Sequence, residues 1–354
     1  HSPATACRTP SSAPTCSHRC SPSTPQHRYM LRLRAAVAMA SYQSGYAGKH
    51  RILSTKTGVV HITLHGAGAS AGRELLKDFH KHAMEVPADI ATLNAEIEAA
   101  SAKVLPLDLK DDARGARAAR AASYEHGARR SDETIPGLGR RDPPVGLAVF
   151  EPAAPIEGVY LHFHGGGWVV GSAFGQNDAR LQAMADALRV AVVSVDYRLA
   201  PEARFPRPVD DAVAAFEWLE RRAAERFGAA TLVAGGESSG AHLCLAAFLR
   251  LAPAVRARYR ALNLVYGFYD LEGTPSNRRF DRRLVFNGRE LAWFAKQLQP
   301  DVMLHKDPAC SILRADFPGD LPPALFSVGT HDALLDDTLL MAQKWADVGA
   351  EADL

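Results

Sequence analysis

The 354 residues carry 41 Lys+Arg against 39 Asp+Glu, with 47% apolar side chains and five cysteines, the balance of an ordinary globular protein of one large or two small domains. A net charge of +2 gives no electrostatic footprint for nucleic acid or an anionic membrane, and no run of about 18 apolar residues offers a bilayer span. Cys7, Cys16 and Cys20 crowd the start, leaving Cys244 and Cys310 for the rest, so a disulfide framework is not expected and a reducing, cytoplasmic setting is the default.

The charge is unevenly spread. Residues 1–73 hold nine Lys+Arg and no acidic residue, and the remainder holds 32 basic against 39 acidic residues. Residues 1–83 therefore read as a leader that is acid-free over its first 73 residues. Its first 50 residues, rich in Ser, Thr, Pro and Ala, have too little apolar patterning to offset chain entropy and are expected to be disordered. The chain starts at His1, and Met84 opens a far more protein-like sequence. The leader is accordingly expected to be non-native sequence, or alternatively an organelle transit peptide, whose Arg-rich, acid-poor composition it shares.

From Met84 the spacing of Ile90, Leu93, Ile97 and Val104 predicts an amphipathic helix, with a second, Ala/Arg-rich helix over about 111–126. Short apolar runs then predict strands at 145–150, 158–163, 191–195, 231–234, 262–266 and 324–328. Helices are predicted between them at 177–188, 209–226, 239–251 and 338–348. The alternation points to an α/β fold, a mainly parallel sheet with helices on both faces. The stretch 268–315 interrupts it and reads as an inserted subdomain carrying its own helix.

Two motifs sit at strand ends. After the strand 158–163 comes His164-Gly165-Gly166-Gly167-Trp168, where glycines let backbone N–H groups approach a ligand. After the strand at 231–234 comes Gly236-Glu237-Ser238-Ser239-Gly240, a GxSxG turn that projects a serine hydroxyl between strand and helix. A second match, Gly68-Ala69-Ser70-Ala71-Gly72, lies in the leader after a plausible strand at 59–64 but without a preceding sheet, so Ser238 is the candidate nucleophile. A serine needs a base and a carboxylate to orient it. Asp332, just past the strand at 324–328, is the candidate acid and Asp336 the alternative, although Asp336 and Asp337 suit the N-terminal turn of the next helix. The loosely metal-like His80-x-His82 and Cys16-x3-Cys20 lack further ligands, and no metal or cofactor is expected.

These motifs, with HFHGGGWVVGS at 162–172, VVSVDYRLAPEARFP at 192–206, VAGGESSGAHL at 233–243, LVYGFYDL at 264–271 and LPPALFSVGTHDALLDD at 321–337, resemble the hormone-sensitive-lipase-like family of α/β hydrolases over residues 84–354. The resemblance implies a carboxylesterase acting on small to medium esters, with Ser238 as nucleophile, Asp332 as acid and an oxyanion hole at the N–H groups of Gly166, Gly167 and Ser239. It also implies a helical cap from residues 84–126 and 268–315. Trp168 and Phe268 are candidate pocket walls. His164 is expected to orient the glycine loop, His242 to pack or cap, and His162 to be structural. Asp196, Arg198 and Glu202 are expected to brace the turn after a strand.

One element of the family pattern is missing. The catalytic histidine follows the acid, and no histidine follows His331. His331 adjoins Asp332 too closely to serve as its base. The full protein is expected to continue about 40 residues past Leu354 with the histidine, and the chain as it stands to be nearly inactive, a loss on the order of 10⁶ in turnover. The alternatives are a non-catalytic small-ligand receptor on the same fold, or an amidase or formamidase.

Overall fold

The computed structural model describes residues 52–54, 60–64, 88–102, 112–122, 124 and 129–354. Two short strands come first, β1 (Ile52–Ser54) and β2 (Val60–Leu64), then helices α1 (Ala88–Ser101) and α2 (Ala113–Ala121). Strands β3 (Arg130–Ile135), β4 (Val145–Phe150) and β5 (Gly158–Phe163) follow. The alternating part then runs α3 (Asp178–Leu188), β6 (Val190–Asp196), α4 (Arg207–Phe227), β7 (Leu232–Glu237), α5 (Ser239–Arg250), α6 (Pro253–Arg256) and β8 (Tyr259–Val265). Helices α7 (Pro275–Arg279) and α8 (Gly288–Leu298) with two 3-10 turns lead to β9 (Ala324–Ser327), α9 (Leu335–Asp347) and β10 (Ala352–Asp353).

The strands form one sheet in the order β1-β2-β10-β9-β8-β7-β5-β6-β4-β3. Pairing is parallel from β10 through β9, β8, β7 and β5 to β6, and antiparallel at both ends. Burial explains the central apolar runs: every residue of β5 and β7 is buried, as a sheet covered on both faces requires. Alternate side chains feed two cores. Leu147, Val149, Leu161 and Val193 pack with α4, α5 and α9, and Ala148, Phe150, Tyr160 and Val192 pack with Leu181, Ala185 and Leu188 of α3. Helix α4 stops at Gly228, whose left-handed φ of +63° closes its last turn, the usual role of glycine past a helix end.

The expected α/β architecture is thus present, and the motif-bearing strands fall where the apolar runs put them. The structure adds β3, an edge strand whose sequence RSDETI buries only Ile135 and so lacks an apolar signature. The strand expected at 59–64 is present as residues 60–64 and pairs antiparallel with β10, Leu64 opposite Ala352. The physical reason is the open edge of β10, whose unpaired backbone groups a segment with strand propensity can satisfy. Residues 1–50, the second GxSxG match, Cys7, Cys16, Cys20, His80 and His82 lie outside the described residues.

Candidate active site

Sheet topology brings the two motifs together. Strands β5 and β7 are parallel neighbours with Phe163 opposite Gly236, so the segments leaving their carboxyl ends emerge side by side. The sheet order reverses direction here, since β6 follows on the other side of β5. Open α/β sheets bind ligands at such a switch point.

Ser238 sits between β7 and α5 with φ +56° and ψ −122°, a conformation that costs a non-glycine residue about 1–3 kcal/mol. Its N–H donates to Val265 O (2.9 Å), while its carbonyl accepts from His242 N (3.2 Å) and Phe268 N (3.3 Å). The turn is pressed against the end of β5: a Cβ on Gly240 would lie 2.0 Å from Phe163 O. That contact is why the motif ends in glycine.

The loop after β5 turns through positive φ at Gly166 (+135°), Gly167 (+59°) and Trp168 (+60°). Val170 N closes the turn on Gly166 O (2.9 Å). His164 braces it, with Nδ1 donating to Gly165 O (2.9 Å) and its ring stacked on Tyr197 at 4.2 Å, while Tyr197 OH donates to His164 O (2.7 Å). Burial lowers the His164 pKa, against the Gly165 carbonyl. Among the described residues, the N–H groups of Gly166, Gly167 and Ser239 have no hydrogen-bond acceptor.

Asp332 follows β9 in a tight turn, its Oδ1 accepting from Leu334 N (2.8 Å). Burial raises its pKa to about 6, opposed by that hydrogen bond. No cation lies in salt-bridge reach of it among the described residues. Asp336 and Asp337 lie in the first turn of α9 and hold the segment after β8: Asp336 accepts from Ser276 N (2.8 Å), and buried Asp337 from Tyr269 N (2.7 Å), Asp270 N (3.0 Å) and Thr274 Oγ1 (2.6 Å). Burial pushes the Asp337 carboxyl up to about 7, against those three donors.

Ser238, Asp332, His331, Gly165, Gly166 and Glu237 line one cavity of about 430 Å³. Phe280, Leu284, Val285, Phe286 and Leu291 supply an apolar wall, and Arg120, Gln176, Asn177 and Arg180 a polar one. The apolar wall comes from the inserted stretch, which meets α1 through Arg282 Nε to Glu98 Oε1 (2.7 Å) and Arg283 Nη1 to Ser101 O (2.7 Å). The two segments expected to form a cap therefore touch, although parts of 84–126 lie outside the described residues.

Trp168 and Phe268 are corrected. Both are buried, at 0% and 1% exposure, with ring centroids 5.2 Å apart, and neither lines the cavity. The loop's reversal at Gly167 and Trp168 turns the indole down into the core. His242 packs edge-on to that indole and donates from Nε2 to Cys310 O (2.8 Å), with burial lowering its pKa to about 4. His162 bridges Glu237 (2.8 Å) and Ser194 (2.9 Å) in the interior. His331 lies on the cavity wall with Nδ1 3.5 Å from Arg282 Nη1 and Nε2 buried without a partner. In the turn after β6, Asp196 accepts from Ser172 Oγ (2.8 Å) and Arg198 grips Asp211 (2.6 Å), while Glu202 pairs with Arg117.

Sequence reasoning missed Arg180 and Asn177. Arg180 reaches Glu237 from within α3 and Asn177 from the residue just before it, and only their place just after the glycine loop hinted at it. Cys244 and Cys310 are buried free thiols. Among the described residues no helix is long and apolar enough to cross a membrane, and no cluster of His, Cys, Asp and Glu could hold a metal ion.

A strained serine at a strand-to-helix turn, beside a glycine loop at the switch point of a mostly parallel sheet, defines the class of α/β hydrolases. Residues 160–354 match the sequence profile of the α/β-hydrolase fold family, and the chain belongs to that family. The resemblance to its hormone-sensitive-lipase-like members holds. The chain is 34% identical over 204 residues to the carboxylic ester hydrolase LipN of Mycobacterium tuberculosis, covering 55% of this chain and 54% of LipN. It is 32% identical over 197 residues to the ethyl acetate hydrolase of Pseudomonas putida, covering 55% and 62%. The chain thus spans about half to three fifths of the curated relatives it matches. Among solved structures, a hyperthermophilic esterase from Pyrobaculum calidifontis superposes with a TM-score of 0.65 at 26% identity, over 74% of this chain and 87% of that one. A thermostable esterase from Pseudomonas putida gives 0.64 at 25%, over 73% and 84%.

Proposed function

We propose that this protein is a serine carboxylesterase acting on small to medium esters. The observation that carries this proposal is the convergence of Ser238, the glycine loop and Asp332 on one cavity. The names of the relatives point the same way, since each is an ester hydrolase in its own right.

In this account Ser238 Oγ attacks the ester carbonyl carbon, and the carbonyl oxygen takes up negative charge against the N–H groups of Gly166, Gly167 and Ser239. Preorganised donors of this kind are worth about 3–4 kcal/mol each to the transition state. An imidazole between Ser238 and Asp332 accepts the serine proton and passes it to the departing alkoxide. It then takes a proton from the water that cleaves the acyl-serine. Asp332 suits the orienting role because its carboxylate is desolvated and unpaired, so an imidazolium alongside would stabilise its charged form. No histidine follows His331 within the 354 residues.

The test is hydrolysis of p-nitrophenyl acetate by the protein expressed from its complete reading frame and, alongside, by the 354-residue chain. The full protein should turn the ester over, and Ser238→Ala should abolish turnover. The 354-residue chain should fall short of it on the order of 10⁶. Tight ligand binding without turnover in the full protein would instead support a receptor on this scaffold, and preference for amides over esters an amidase.

A further inference from the structure

We infer that Glu237 is a positioning residue that locks the glycine loop after β5 to the serine turn after β7, an inference that rests on the esterase assignment of Ser238. Glu237 immediately precedes Ser238 and is 7% exposed. Its carboxylate gathers groups from three elements. Oε2 meets His162 Nε2 of β5 at 2.8 Å. Oε1 accepts from Gly165 N of the glycine loop (3.3 Å), Asn177 Nδ2 at the start of α3 (2.9 Å) and Arg180 Nη2 within α3 (3.1 Å). His162 continues the chain to Ser194 Oγ of β6 at 2.9 Å.

A GxSxG turn asks nothing of the side chain at this position, and a buried carboxylate is costly unless paired and hydrogen-bonded. Burial alone would raise the Glu237 pKa. His162, Arg180 and Gly165 N outweigh it and hold the carboxyl well below the usual range. The donors to this carboxylate come from the structures whose relative placement matters for catalysis. The glycine loop also rests on it physically: a Cβ on Gly165 would lie 3.2 Å from Glu237 Cγ and 3.0 Å from Glu237 O. Gly165 N is one residue from the N–H of Gly166, so loosening the first displaces the second relative to Ser238 Oγ. Glu237 acts through these neighbours, with its oxygens already taken by protein donors. A misplacement of 1 Å at such a site costs about 100-fold in rate.

Glu237→Gln keeps the shape while removing the charge and one acceptor oxygen. Amide hydrogen exchange of the 354-residue chain reads the lock without any need for catalysis. Exchange over residues 163–170 should accelerate about tenfold or more while β6 and β8 hold their rates, because a local opening releases only local amides. In the full protein, kcat for p-nitrophenyl acetate should fall about 10- to 100-fold with KM within about threefold. Unchanged exchange over 163–170, acceleration spread evenly through the sheet, or a rise in KM at constant kcat would each overturn the inference. If Glu237→Gln does not fold, Arg180→Gln removes one donor and should accelerate the same segment to a smaller degree, and no change there overturns it. Retention of hydrolysis by Ser238→Ala would sink the esterase assignment, yet the exchange data would still decide whether Glu237 holds the loop.

Discussion

Phe163 and Gly236 are register partners on adjacent parallel strands, and the carbonyl of Phe163 sits where a Cβ on Gly240 would fall, 2.0 Å away. The serine turn is thereby fitted against the backbone that launches the glycine loop. Gly240→Ala should overpack this contact and cost about 1–3 kcal/mol or more. For a domain of this size that lowers the melting temperature by about 2–4 °C per kcal/mol. A thermal melt that leaves the midpoint unchanged would show that the turn can move away from β5.

Asp332 and Asp337 both have raised pKa values, about 6 and about 7. A carboxyl whose folded pKa exceeds its unfolded value binds more protons folded than unfolded in the intervening pH range, so its contribution to stability declines as pH rises through that range. For Asp332 the range runs from about 4 to 6. Asp332→Asn should therefore gain stability relative to the parent on moving from pH 4.5 to pH 7.5, by on the order of 1–2 kcal/mol. The same variant should lose turnover by about 10⁴. Paired melts at the two pH values check the first outcome, and a stability difference independent of pH would contradict it.

The apolar wall of the cavity should set acyl preference. Phe286 and Leu291 line it, and a methylene in such a pocket is worth about 1–3 kcal/mol. Phe286→Ala should lower kcat/KM for p-nitrophenyl butyrate more than for the acetate, by about tenfold. Equal losses on both esters would place the acyl chain elsewhere.

Trp168 should behave as a core residue. Its indole is fully buried against Phe268 and His242, so Trp168→Ala should cost about 3–5 kcal/mol. Denaturant unfolding reads this directly. A variant as stable as the parent but altered in ester preference would return Trp168 to the pocket.

The apolar runs and turn residues made the central strands legible, because burial on both faces writes itself as Val, Leu and Ala without polar interruption. The positions of Ser238, the glycine loop and Asp332 just past strand ends were legible because glycines are required where backbone approaches backbone, and because the strand ends expected at 163, 234 and 328 fall within three residues of those observed. The strand β3 was not, since an exposed edge strand like RSDETI has no apolar face to betray it. Strand β2 joins the sheet through backbone pairing, which composition does not record. The direction of Trp168 depended on positive φ at Gly167 and Trp168, and the role of Glu237 on donors up to 75 residues away in sequence. Neither quantity is local.

Ser238 is the residue on which the whole account turns, and hydrolysis of p-nitrophenyl acetate by the protein from its complete reading frame, set against Ser238→Ala, tests it most directly. Saturable turnover should fall to the solution background in the variant while the variant's melting temperature stays within a few degrees of the parent. Equal turnover by both proteins would contradict it.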